Sequence, residues 1–328
     1  MVSRRRLLQF FSIVLAVTIL YCIPIYNKQK PELYTITVAV SETPLSAPFF
    51  VAQQQGFFRD NGLDVKIIPC FGGVKCADLL KNKSVDYATA SETVALFQYD
   101  KNSNVEIVSS FVKSYNDMKL LTLEPVGLKE IKDLSNKKVG IVKGSASEFY
   151  FDLQLISQSL QGIPVERVYL EPNNVIPALL SYQVDAVSIW EPYGFLSKVK
   201  STVPVNNIGM SNIHQLSFNL IRKKREIYDL DKEVALLDAL SNAIDWMNEN
   251  KEPAILLVSK KLDVNIEQIR WGWDDYLFLL TNDISLISNI QAQYRWSSIN
   301  GKLNSKTLDV RNIISRTSYD IYQKKVYE

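Results

Sequence analysis

The sequence predicts an α/β fold of two lobes built on mostly parallel sheets, and three observations lead there. The 328 residues are 47% apolar, which suits two compact lobes better than one small domain. Strand and helix signals alternate through two successive β-α-β-α-β units, the pattern of parallel sheets covered by helices. Each unit closes on a short strand opened by Val-Asp, with a glutamate six residues after the aspartate: VDYATASE (Val85–Glu92) and VDAVSIWE (Val184–Glu191).

In the first unit, Leu33–Val40 (LYTITVAV) is β-branched and apolar, and Ala47–Asn61 fits one helix closed by Gly62. Leu63–Ile68 alternates as a strand, Val74–Lys81 is a short helix, Tyr87–Ala90 a strand and Thr93–Tyr99 a helix. A β-rich passage, Val105–Leu123, leads away. The pattern restarts with strand Lys138–Val142 and helix Ser145–Leu160, which Ser145 or Ser147 can cap. Val165–Leu170, Val175–Ser181 and Ala186–Ile189 then read as strand, helix, strand. Ser217–Ile221 is a return strand. From Asp231 the chain reads as nearly all helix, with Val234, Leu237, Ile244 and Met247 along one face.

Charge excludes one class of partner. The chain has 37 basic and 35 acidic residues, and five of the basic ones lie before residue 34, so no basic stripe marks a nucleic-acid surface. The N-terminus reads as an export or anchor signal. Arg4-Arg5-Arg6 precedes Leu7–Tyr26, twenty uncharged residues, long enough to span a bilayer with the arginines inside. Cleavage, lipidation at Cys22 and retention as an anchor remain alternatives for residues 1–33. Each places the body outside the cytoplasmic membrane, where disulfides persist. Cys70 and Cys76 flank Phe71-Gly72-Gly73 there, as a disulfide or as two small buried thiols. A single histidine, His214, and no clustered ligand spacing give no metal site, and no cofactor motif is present. GIVKGS lacks the Gly-Lys-Ser/Thr ending of a phosphate loop.

In open α/β sheets, ligands bind beyond the carboxyl ends of the strands. Ser91-Glu92 and Trp190-Glu191 occupy that place in the two lobes, facing each other across a cleft. The residues also carry a family likeness. PLSAPFFVAQQQGFFRDNGLDVKI (Pro44–Ile67), Gly72-Gly73, VDYATAS, IKDLSNKKVGIVKGSASEF (Ile131–Phe149) and VIPALLSYQVDAVSIWEPY (Val175–Tyr193) occur in an order that resembles the substrate-binding proteins of ABC importers for nitrate, sulfonates and thiamine-pyrimidine precursors. The resemblance spans about Leu33 to Lys261. It implies a type II periplasmic-binding-protein fold that closes like a clam, a permease partner and a monomer. Lobe 1 would be 35–122 plus 215–328, and lobe 2 would be 123–214, hinged near Leu120–Glu124 and Asn212–Phe218.

Carried over position by position, the resemblance implies a cleft lined by Glu42, Thr43 and Pro44, by Gly72 and Gly73, and by Ser91 and Glu92. The second lobe would add Gly144, Ser145, Ala146 and Ser147, then Trp190, Glu191 and Tyr193. The Gly144–Ser147 turn can offer N–H groups to an anion, with Lys75 and Lys143 the nearest cations. Two glutamates and two aromatic rings favour instead a small nitrogen-containing aromatic ligand held by Glu191. A related enzyme family builds the thiamine pyrimidine on this fold with a histidine and a cysteine-rich motif. Cys70-Phe71-Gly72-Gly73 and the distant His214 depart from that pattern. A Ser-His-Asp hydrolase would lack its nucleophile elbow. No enzyme is therefore expected; a membrane-tethered sensor is the other alternative. The C-terminal portion from about Asp263 onward, with WGWDDYLFLL, departs from the family and is expected only as helices packed on lobe 1.

Overall fold

In the computed structural model, which describes residues 33–224, 229–304 and 307–327, two sheets account for the expected alternation. The export or anchor segment, including Cys22, lies outside the described residues, and among them no helix is long and apolar enough to cross a membrane. β1 (Tyr34–Ser41) buries Ile36, Val38, Ala39 and Val40 and runs parallel to β3 (Tyr87–Ser91), with Val38 opposite Tyr87. The predicted helix after β1 breaks in two, α1 (Ala47–Gln55) and α2 (Phe57–Asp60). Gly56 between them sits at φ 86°, a left-handed stop that glycine adopts without a Cβ clash. β2 (Leu63–Cys70), α3 (Gly72–Lys81) and α4 (Glu92–Gln98) complete the first unit.

The β-rich passage divides at Tyr115–Asp117. β4 (Val105–Ser114) belongs to the first sheet, whereas β5 (Met118–Leu123), expected in lobe 1, hydrogen-bonds within the second. The chain thus passes from the first sheet to the second before residue 118, because Met118–Thr122 pair antiparallel with Trp190–Ala186. β6 (Lys137–Ile141), α5 (Ala146–Ser157), β7 (Val165–Tyr169), α6 (Pro172–Leu180), β8 (Ala186–Trp190), α7 (Tyr193–Lys200) and β9 (Val205–Asn207) build the rest of that sheet, in the order β7-β6-β8-β5-β9. The chain then returns through β10 (Leu216–Lys223), which lies antiparallel between β3 and β4.

The C-terminal part is not all helix. α8 (Leu230–Glu249), α9 (Lys251–Leu262) and α10 (Ile266–Trp273) are followed by β11 (Leu277–Thr281), α11 (Ile284–Ile299) and α12 (Thr317–Tyr327). β11 adds to β4 at the edge of the first sheet, whose order is β11-β4-β10-β3-β1-β2. The apolar run LFLLT is a strand because an open edge of β4 was available to pair it. Both sheets are mixed. They are parallel where βαβ units repeat and antiparallel where the crossovers return.

Edge-to-face rings fill the first core: Phe49 lies 5.0 Å from Phe111, which lies 5.8 Å from Phe218. Leu236, Leu237, Leu240, Ile244 and Met247 form the buried stripe of α8. Arg222 on β10 reaches Glu106 and Glu233 at 2.7 Å each, joining two strands to α8 in a buried ion network. These contacts make the first sheet and the C-terminal helices one framework for the strand ends.

Candidate ligand-binding site

The carboxyl ends of strands from both sheets converge on one cavity of about 310 Å³, at the lower end of typical ligand-site volumes. Ser41 and Ser91 end β1 and β3; Tyr169 and Trp190 end β7 and β8; Val142 follows β6. Phe71, Leu45, Val94, Met118 and Phe218 give the walls a largely apolar character. The two sides meet closely at the glycine loop. Gly72 adopts φ 76°, and a Cβ there would stand 3.3 Å from the Trp190 ring. At the mouth, Lys75 pairs with Glu171 at 3.2 Å, and Lys143 lies 5.3 Å from the centroid of the Tyr169 ring.

Seven of the residues named from the sequence line this cavity: Thr43, Gly72, Gly73, Ser91, Ser145, Ala146 and Trp190. Glu42, Pro44, Glu92, Gly144, Ser147, Glu191 and Tyr193 do not. All of these but Glu42, which is exposed, have a role inside the protein. Pro44 opens the single buried turn Pro44–Ser46. Ser147 Oγ accepts from the Val142 N–H at 3.2 Å and donates to the Ser188 carbonyl at 2.7 Å. The Gly144 N–H donates to Glu148, and the Ser147 N–H to the capping Ser145 Oγ. Two of the N–H groups expected to meet an anion are therefore already bonded. Tyr193 supports the Trp190 ring from 6.0 Å.

The glutamates differ most from expectation. Glu92 is fully buried and accepts from the Ser217 N–H at 3.0 Å and from Gln293 at 2.9 Å; burial raises its pKa to about 7. His214, 3.5 Å from Glu92, is buried too and held down to about 4 for the same reason. Glu191 accepts from the Phe195 N–H at 3.0 Å and from the Trp271 indole at 3.1 Å. Its carboxylate thus holds the C-terminal helix α10 and not the cavity. Side chains after a strand end point alternately, so Ser91 and Trp190 face inward and the glutamate after each turns away.

Asp117 takes the place the glutamates were expected to fill. It lies in the crossover between β4 and β5 and lines the cavity. Its Oδ1 accepts from the Tyr276 hydroxyl at 3.3 Å, while Oδ2 is buried with no hydrogen-bond partner among the described residues. Burial, and next the negative charge of Glu191, push its pKa up to about 8. Tyr169 and Glu171 were likewise missed. The rule that found Ser91 and Trp190 would have found Tyr169 at the end of β7. The polar interruption SYND between two apolar strands was the available signal for Asp117.

Cys70 and Cys76 form a disulfide that spans the glycine loop, with Cα atoms 5.4 Å apart. Among the described residues no group of three or more His, Cys, Asp or Glu side chains could hold a metal.

A site built between two sheets at their strand ends defines a binding-protein architecture, and the comparisons give its family. Residues 43–254 match the family described as NMT1: NMT1/THI5 like, and the chain belongs to it. A Bacillus subtilis (strain 168) protein named for binding aliphatic sulfonates is 22% identical over 279 residues, 83% of each chain. A Haemophilus influenzae protein named for thiamine biosynthesis is 28% identical over 295 residues, 85% of this chain and 88% of that one. Among solved structures, the periplasmic aliphatic sulphonate binding protein SsuA from Escherichia coli superposes with a TM-score of 0.73 at 17% identity, covering 87% of this chain and 92% of that one. The periplasmic nitrate-binding protein NrtA from Synechocystis PCC 6803 gives 0.71 at 16% identity, covering 91% and 90%. The fold is therefore the two-lobed periplasmic-binding-protein fold expected from the sequence.

Proposed function

We propose that this protein is an extracytoplasmic solute-binding protein that encloses one small ligand between two lobes and delivers it to the permease of an ABC importer. One lobe carries the first sheet and the C-terminal helices. The other carries the second sheet, and the hinges are the crossovers at 115–117 and 209–215. The observation that carries this reading is the cavity itself, whose lining is shared between the strand ends of both sheets. A ligand touching both sides stabilises the closed arrangement, and the permease distinguishes closed from open. Thr43, Gly72, Gly73, Ser91, Ser145, Ala146 and Trp190 are the proposed contacts.

Capture is favoured over catalysis by the position of His214. It is neutral and buried against Glu92 and Phe149, and it does not line the cavity. A base placed there cannot reach a proton on a bound ligand. The names of the relatives fit solutes as different as a sulfonate and nitrate, so the ligand must be found by trial. The test is a thermal-unfolding panel of alkanesulfonates, nitrate and small nitrogen heterocycles. A ligand at a hundredfold excess over its Kd adds about 2.7 kcal/mol of stability. No shift with any of these solutes would sink the solute-binding reading. The export segment, residues 1–33, places this activity at the outer face of the cytoplasmic membrane, as a cleaved, lipidated or anchored form.

A further inference from the structure

We propose that Asp117 is the polar anchor of this cavity and selects a ligand that presents an N–H donor, a cationic one above all. The inference rests on reading the cavity as a solute site and adds the ligand's chemistry to it. Three geometric facts carry it. Asp117 is wholly buried, yet it forms part of the cavity lining. One carboxyl oxygen takes the Tyr276 hydroxyl, and the other has no partner among the described residues. A buried acceptor left in that state costs free energy unless a donor comes to it. Its neighbours then define which donor fits. Trp190, Met118 and Phe218 line the same cavity and offer apolar faces that suit a flat ring.

The charges around Asp117 come from several elements. Lys119 on β5 favours its ionised form, whereas Glu191 beyond β8 and Asp275 after α10 oppose it. Lys119 is also committed elsewhere, to both oxygens of Asn116 and to Glu191 at 4.0 Å. Tyr276 faces Asp117 as a neutral phenol, since burial raises its own pKa. At the mouth, Lys75 is offset by Glu171, and Lys143 sits over Tyr169. Among the described residues, the cations that line the cavity are thus Lys75, beside Glu171, and Lys143, over Tyr169, while Asp117 is an acid poised near neutrality. An anion such as a sulfonate would find two of the N–H groups of the Gly144–Ser147 turn already taken.

Proton linkage follows. Below about pH 8 the empty cavity holds Asp117 mainly as the acid. A cationic donor binds the carboxylate, so one proton leaves to solvent when it binds. Affinity for such a ligand should therefore rise about tenfold per pH unit between pH 6 and pH 8 and level off above it. A ligand held by other groups has no reason to follow that slope.

The experiment uses benzamidine and 4-aminopyridine as donor-bearing rings and benzenesulfonate as the ring without a donor. Binding is followed by calorimetry in buffers of different ionisation enthalpy at pH 6.5, which counts protons released. The expected result is binding of the donor rings, release of close to one proton with benzamidine, and weak or absent binding of benzenesulfonate. Asp117→Asn keeps the shape and should lower the donor affinity by ten- to a hundredfold, as loss of a charged hydrogen bond does, and should abolish the pH slope. Benzenesulfonate binding while neither donor binds would overturn the inference and leave solute binding intact. Donor binding without proton release, or unaltered in Asp117→Asn, would also overturn it. If none of the three binds, the inference fails as well, because these probes carry the chemistry it claims.

Discussion

The two strand ends VDYATASE and VDAVSIWE share spacing, strand position and a terminal glutamate, yet their carboxylates serve different ends. Glu92 knits the first sheet's framework to itself: its two partners, Ser217 on β10 and Gln293 on α11, belong to that framework. Glu191 reaches across, from the end of β8 to Trp271 on α10, which packs on Phe195 and stands 4.6 Å from Lys198. Equal sequence spacing thus brought equal backbone placement and unequal side-chain work. What the two ends share at the cavity is the residue before the glutamate, Ser91 in one and Trp190 in the other, since both line it.

That contrast predicts unequal costs. Glu92→Ala leaves a buried N–H and a buried amide without their acceptor and should cost about 3 kcal/mol in urea unfolding. Glu191→Ala, at a boundary that solvent can reach after the change, should cost about 2 kcal/mol. The reverse order would break the comparison.

The pH dependence sharpens it. Glu92 and Asp117 both have raised folded pKa values, about 7 and about 8, so each binds its proton more tightly when folded. Their contribution is complete below the unfolded pKa near 4 and is lost as pH rises through the folded values. His214, depressed to about 4, acts in the opposite sense and only below about pH 6.5. Between pH 6.5 and pH 8 the ligand-free protein should therefore lose roughly 2 kcal/mol. Denaturant titration of Glu92→Gln should remove the lower part of that loss and Asp117→Asn the upper part. A flat profile in the unaltered protein would contradict both assignments.

The loops on either side of the cavity form a second pair. A disulfide closes the one at Cys70–Cys76, whereas the one at Val142–Ser147 is closed by hydrogen bonds. Replacing both cysteines by serine should cost about 2 kcal/mol through the freed unfolded chain. Ser145→Ala, which removes a helix cap, should cost about 1 kcal/mol. The smallest effect separates two glycines of similar conformation, φ 76° at Gly72 and 68° at Gly144. Gly72→Ala and Gly144→Ala should each cost about 1 kcal/mol of backbone strain. Only Gly72→Ala should weaken ligand binding as well, since its Cβ meets Trp190 and nothing lies near Gly144. Equal loss of affinity in both would show that the Gly72–Trp190 approach does not matter to closure.

The sequence made the parallel βαβ cores legible because apolar period and turn residues are local properties. It also placed the cavity, because strand ends follow from strands. It does not say which way a side chain turns after a strand stops, and so Glu92 and Glu191, expected at the cavity, bond inside the protein, while their neighbours Ser91 and Trp190 line it. Asp117 was hidden for another reason. Its position depends on where the chain changes sheets, and the switch at Tyr115–Asp117 is set by pairing between β5 and β8, about seventy residues apart. β11 was misread as helix because an edge strand needs a partner that composition does not reveal. The break in the first helix at Gly56 was open to view, since FFVAQQQGFF carries its stop signal inside the run.

The central claim is that one small solute is held between two sheets that move together around it. Small-angle X-ray scattering tests that claim most directly, with the protein measured alone and then saturated with whichever panel solute most raises its melting temperature. The expected result is a smaller radius of gyration with the solute, and a smaller decrease for Gly72→Ala at the same saturation. An unchanged radius at full occupancy would contradict closure and leave a rigid pocket in its place.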